Sequence, residues 1–294
     1  MMRKLMMLAV LMWGMAAVAV NPIRHDQILK ENPQSMSPAG DDEENPYLIL
    51  IGEAEKAIDE GDYVSAIMRF KDAMRVEPDN PSNVLLYNNL GLLYSQLGQD
   101  SLAMRAYDNA LAIAPSMTTV MSNRAQLCLR LGRDAEAMSG FTDVIERDSL
   151  NVKARFYHGM MSLYAGDAQS AIADFGVLKV VDPDSENTCL ALSSLYSMTG
   201  SEVQAIPYYQ KLIAMDPEPE YYAGLAGCYL VLDRLSDATA AINEGLEKCG
   251  DDAELYYYRA WANREAYQLD QAKADAKRAI QLGADPTKVM RLFE

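Results

Sequence analysis

Histidine and cysteine are scarce: the 294-residue sequence has two of the first and four of the second. His25 and His158 stand far apart, and Cys128, Cys189, Cys228 and Cys249 form no Cys-x2-Cys pair, so no zinc or metalloprotease centre is expected. Also absent are Gly-x-Gly-x-x-Gly, Gly-x4-Gly-Lys and Gly-x-Ser-x-Gly, the signatures of dinucleotide binding, phosphate-loop nucleotide binding and serine hydrolysis. Gly224-x-x-Gly227 lies in a helical stretch and reads as a packing feature. Catalysis needs polar groups that converge on one point. No motif brings them together, so the sequence predicts neither enzymatic activity nor a bound cofactor or metal.

Positive charge is also short. Lys and Arg number 26 against 42 Asp and Glu, a net charge of −16, which becomes −18 if Arg3 and Lys4 are removed with a leader. Such acidity disfavours nucleic acid and anionic membrane surfaces as partners. Phenylalanine (5) and proline (12) are few while half of the residues are apolar, with many Ala, Tyr and Leu. That balance favours stacked helices over a compact sheet.

What is present is a repeat, most complete between Val84 and Met117. Tyr87-x2-Leu90-Gly91-x2-Tyr94 is followed by Gly98, then Ala103-x3-Tyr107, Ala110 and Pro115. Tyr87, Leu90 and Tyr94 recur at i, i+3 and i+7, one face of a helix. Gly91 and Ala103 are small enough for two helices to cross closely, and Tyr107 fills the space that remains. Gly98 suits a helix stop in the left-handed conformation, and Pro115 cannot continue the second helix.

This spacing resembles a tetratricopeptide repeat. The pattern recurs over residues 47–80, 84–117, 118–151, 152–185, 186–218, 219–252 and 253–286, with Asp233 and Tyr267 replacing the turn glycine in the last two. Residues 287–294 are expected to add one more helical turn over the end. The resemblance implies an all-α, right-handed superhelical solenoid of tandem helix-turn-helix repeats that acts as a protein-interaction scaffold. It also places Cys128 at a core tyrosine position and Cys228 and Cys249 at opposite ends of one antiparallel pair. Free thiols are therefore expected, although disulfides are common in exported chains.

Ahead of the repeats, Arg3 and Lys4 precede an apolar run from Leu5 to Ala16, and Ala17-Val18-Ala19 offers a small-x-small cleavage site. The run is short for a membrane span of about 20 residues. Residues 1–19 are thus expected to be a bacterial export signal, with a retained anchor as the alternative, and the protein to be periplasmic or secreted. Residues 20–46 hold Pro22, Pro33, Pro38, Pro46 and the acidic run Asp41 to Glu44, the composition of a disordered spacer.

The resemblance further implies that the first helix of each repeat lines a concave, peptide-binding face. Its residues here include Asn88, Asn89, Ser122, Asn123, Gln126, Arg130, Lys153, Phe156, Met160, Tyr164, Tyr257 and Trp261. Across repeats two to five the only charges at these positions are Arg130 and Lys153, so a peptide of acidic character would suit them. Asn and Gln can bond an extended backbone, and Phe156, Tyr164 and Trp261 could hold apolar anchors. The carboxylate clamp of chaperone-binding family members is absent: its positions in the first three repeats hold Ile51, Glu55, Asn89, Thr119 and Asn123, of which only Asn89 fits. Two rival readings are a structural subunit that assembles through solenoid ends, with self-association open, and a glycan- or peptidoglycan-binding accessory protein that uses Trp261 and Tyr256 to Tyr258.

Overall fold

The computed structural model describes residues 45–294. The expected signal over residues 1–19, and all but the last two residues of the expected spacer, lie outside them. Of these two residues, Pro46 already belongs to the first helix and Asn45 is its cap. Asn45 caps it by accepting the Tyr47 N–H at 2.9 Å, and Pro46 opens it, where a missing N–H is harmless.

The described residues fall into two compact units divided between His158 and Gly159. The first holds α1 (Pro46–Asp59), α2 (Tyr63–Val76), α3 (Asn83–Gln96), α4 (Asp100–Ile113), α5 (Thr118–Arg130), α6 (Asp134–Arg147) and the start of α7 (Val152–Ala165). In the second, the rest of α7 is followed by α8 (Ala168–Val181), α9 (Glu186–Met198), α10 (Glu202–Met215), α11 (Pro219–Val231) and α12 (Leu235–Cys249). The unit ends with α13 (Ala253–Glu265), α14 (Leu269–Gln281), the short α15 (Pro286–Met290) and a 3-10 turn at Arg291–Phe293. Among the described residues there is no strand, and the fold is an all-α array of helical hairpins.

One turn geometry joins the two helices of each hairpin. Gly98 takes φ 69°, and the N–H of Gln99 then reaches back to the Tyr94 carbonyl at 2.8 Å, closing the helix end. The same reach recurs from Asp62 to Ala57 (2.8 Å), Arg133 to Cys128 (2.9 Å), Arg234 to Tyr229 (2.8 Å) and Gln268 to Asn263 (2.8 Å). Where glycine is missing the conformation is kept: Asp233 has φ 56° and Tyr267 φ 59°. The backbone bond outweighs the local penalty of a left-handed residue, about 1–2 kcal/mol.

Between paired helices the packing is ring against missing side chain. A Cβ built on Gly91 would lie 2.3 Å from Tyr107 Cε1 and one on Gly159 2.4 Å from Phe175 Cε1; between adjacent hairpins, one on Gly224 of α11 would lie 2.4 Å from Tyr209 Cε1 of α10. Tyr107, Phe70, Phe141 and Phe175 are fully buried, beside alanines such as Ala66, Ala103, Ala137 and Ala171 that have no exposed surface. Each buried ring contributes about 1.5–3 kcal/mol from apolar burial. The four cysteines are free thiols, three of them buried. At the far end of the second unit, Val289 and Leu292 bury themselves against Ala260, Ala276 and Ala279, so α15 and its turn cover the last hairpin.

Two substitutions test this packing by thermal or denaturant unfolding. Gly91→Ala forces a methyl into the Tyr107 ring and should cost about 1–3 kcal/mol. Tyr267→Gly removes a left-handed non-glycine residue that is 92% exposed, and should stabilise by about 0.5–1 kcal/mol. An unchanged midpoint for the first, or a loss for the second, would contradict the description.

Candidate functional site

In the first unit, α3, α5 and α7 each contribute a polar side chain to one ladder. Lys153 Nζ on α7 donates to Asn123 Oδ1 on α5 at 2.8 Å, and Asn123 Nδ2 donates to Asn88 Oδ1 on α3 at 2.8 Å. The direction of the ladder is fixed at its lysine end, because an ammonium can only donate. Asn123 must turn its oxygen to Lys153 and its amide N–H to Asn88. Asn88 is then left with its own Nδ2 donors, which have no partner among the described residues. The hydroxyl of Ser122, next to Asn123, is buried and unpaired as well. A buried polar group without a partner costs about 1–3 kcal/mol.

Lys153 is half-buried, and burial alone pushes its ammonium down to about 8. Among the described residues no charged neighbour opposes that shift. Asn123 takes one of its three donors. Arg130, the other cation expected on this face, is neutralised: it pairs with Asp100 at the start of α4 and donates to the Ser95 carbonyl at 2.9 Å. Asp100 gave no signal in the sequence, since it belongs to the second helix of the neighbouring hairpin. Among the described residues expected on this face, the cation without a carboxylate partner is therefore Lys153, which is part-exposed.

The other expected residues have different fates. Gln126 donates to the Tyr157 hydroxyl at 2.5 Å, and that phenol is pushed up to about 12 by burial. Tyr157 stacks on Phe141 at 5.2 Å and meets Phe156 edge to face at 5.2 Å. Phe156 (3% exposed) and Met160 (0%) are thus core residues, which corrects the expectation that Phe156 holds a partner's apolar anchor. Aromatic residues at helical spacing fill the gap between neighbouring helices before they can face solvent. Asn89 is buried and engaged within the chain.

Tyr164, Tyr257 and Trp261 belong to the second unit and are half-buried there. Trp261 stacks on Tyr258 at 6.1 Å and donates to Glu265 Oε1 at 3.1 Å, so one ring face that a sugar would need is taken. The ammonium of Lys288, which the sequence did not single out, sits 4.2 Å above the Tyr257 ring. The structure therefore joins Asn88, Asn123 and Lys153 into one site, sets Gln126 beside it, and seats Tyr257 and Trp261 in a separate aromatic cluster.

Models of the tetratricopeptide repeat match residues 84–117 and 204–253. Among curated proteins, DnaJ homolog subfamily C member 7 of Homo sapiens is 22% identical over 231 residues, covering 76% of this chain and 43% of its own length. The chain thus spans under half the length of that relative. Among solved structures, a tetratricopeptide repeat protein from Parabacteroides merdae ATCC 43184 is 27% identical with a TM-score of 0.63, covering 84% of this chain and 97% of its own. PilW, a widely conserved type IV pilus biogenesis factor, is similar in fold at 20% identity and TM-score 0.62, covering 71% of this chain and 96% of its own. The chain contains tetratricopeptide repeats at the two matched segments, within an all-α array of helical hairpins.

Proposed function

We propose that this protein is a non-catalytic scaffold of the bacterial cell envelope that binds another protein or an extended peptide on the face formed by α3, α5 and α7. The observation that carries this reading is the ladder. Among the described residues, a lysine held without a carboxylate partner, an amide with unused donors and an unpaired hydroxyl lie along one set of first helices. Asn88 Nδ2 and the Ser122 hydroxyl are themselves buried, so the group within reach of a bound segment is the part-exposed Lys153, whose ammonium an acidic side chain or a chain-end carboxylate would compensate. Repeats of this family generally bind other proteins, which supports the same reading. The basic start, apolar run and small-x-small site at residues 3–19 support export.

Photo-crosslinking in cells tests the face directly. A photoreactive residue in place of Thr119, exposed on α5, should capture a partner that a probe at Ser139, exposed on α6, does not. Lys153→Met should abolish that capture while the circular dichroism of the purified protein is unchanged. Capture from Ser139 alone would place recognition on the second helices and overturn the reading.

Burial of Lys153 also sets a pH dependence. Its folded value of about 8 lies below the unfolded value of about 10.4. Below about pH 8 both states hold the proton, and the penalty for burying the charge is complete. Between about pH 8 and 10.4 the unfolded state binds more protons, so the lysine's contribution to stability rises with pH. Buried cysteines and tyrosines, whose values are raised, act in the opposite sense, but equally in a variant that keeps them. Relative to Lys153→Met, the wild type should therefore gain stability from pH 8 to 10 in urea titrations. A constant difference would contradict the assigned burial.

A further inference from the structure

The aromatic cluster on α13 already holds a cation. Lys288, on α15, extends its ammonium to Glu254, donating to Oε1 at 2.8 Å and Oε2 at 2.6 Å. The same ammonium lies 4.2 Å from the centroid of Tyr257 and 5.9 Å from that of Tyr258. Tyr257 and Tyr258 meet edge to face at 5.1 Å, and Trp261 stacks behind Tyr258. One carboxylate and two ring faces make a box in which the rings supply negative potential and the carboxylate a full charge. The third tyrosine of the run, Tyr256, is also a cation seat: Arg259 lies 4.6 Å and Arg278 6.0 Å from its centroid.

The segment that fills the box is lightly held. It consists of a five-residue helix and a three-residue turn. Among the described residues its anchors are the buried Val289 and Leu292, the partly buried Phe293 and a bond from Arg264 Nη1 to the Leu292 carbonyl at 2.6 Å. A helix of five residues has no stability of its own, so it stays only while those contacts do. The Lys288 side chain is 19% exposed and the Glu254 carboxylate 43%, so the pair sits at the rim of the box, where an exchanging cation can reach it.

We propose that Glu254, Tyr257 and Tyr258 form a binding site for a lysine side chain of a partner protein, which Lys288 of the same chain occupies at rest. Residues 286–293 are then a strap whose displacement exchanges an internal lysine for an external one. Charge complementarity favours that occupant: the box is anionic, in a chain of net charge −16. The site lies wholly in the second unit and selects a cation, so it stands independently of the acceptor-binding ladder in the first.

Fluorescence titration of the full-length chain tests the proposal. With Trp13→Phe, Trp261 is the single tryptophan reporter, and Leu292→Ala loosens the strap. The probes are a synthetic peptide of residues 284–294 and the same peptide with norleucine in place of its lysine. The lysine peptide should bind the loosened chain at least tenfold more tightly than the norleucine peptide, and Glu254→Gln should erase that ratio. Equal affinities, a ratio that survives Glu254→Gln, or no saturable signal from either peptide would overturn it. Should Leu292→Ala fail to fold, Lys288→Ala serves instead: n-butylammonium chloride should raise its thermal midpoint saturably, whereas n-butanol and sodium chloride should not. No such rise would overturn the proposal equally.

Discussion

Every hairpin in this protein depends on how closely its two helices approach. An aromatic ring from the second helix enters the space that a side chain on the first would occupy where Tyr107 meets Gly91 and Phe175 meets Gly159. Tyr209 on α10 does the same to Gly224 on α11 of the next hairpin, while α12 and α14 carry no aromatic residue and pack through alanines. Flanking alanines with no exposed surface keep the helix axes near enough for the ring to be fully buried. The left-handed turn serves the same end, because it reverses the chain within three residues and sets the second helix directly on the first. That is why the turn conformation outlives its glycine at Asp233 and Tyr267. Packing between helices constrains the backbone there more strongly than local preference does.

With the hairpins fixed, the first helices present their side chains in register, and polar groups from successive hairpins can meet. Asn88 and Asn123 are 35 residues apart in sequence yet share a hydrogen bond, and Lys153 joins them from 30 residues further on. The chemistry of the ladder follows from its one ionised member. Lysine has donors only, so it orients both amides and passes an unused donor to Asn88. Arg130 could have played the same part, but Asp100 compensates its charge. The second unit uses its first-helix face differently: three tyrosines in succession and a glutamate on α13 surround cations instead of presenting one.

Much of the fold was legible because the repeat constrains sizes as well as hydrophobicity. Gly91, Ala103, Tyr107 and Gly98 each have a steric reason to stand where they do, and those reasons can be read without coordinates. Side chains on the first helices were harder to read, since spacing shows which residues share a stripe but not how deep the neighbouring helix covers it. Phe156 and Met160 were expected at the surface with Tyr164, and they are core. The pairing of Arg130 depends on a carboxylate from another hairpin, and the aromatic box on a lysine 34 residues from its glutamate. Neither carries a local signature. By contrast, Asn88, Asn123 and Lys153 were visible as polar positions on one stripe, although their hydrogen bonds were not.

Among the described residues Lys153 is a part-buried charge that has no carboxylate partner and that the proposed partner would compensate. Its ammonium can be followed directly by NMR titration of the full-length protein carrying lysine labelled at the ε-carbon, with Lys153→Met to assign the resonance. In the free protein the resonance should titrate near pH 8, and a crosslinked or co-purified partner should move that midpoint upward as an acceptor reaches the ammonium. A midpoint at the ordinary lysine value of about 10.4 in the free protein, or one that the bound partner leaves unmoved, would contradict the account.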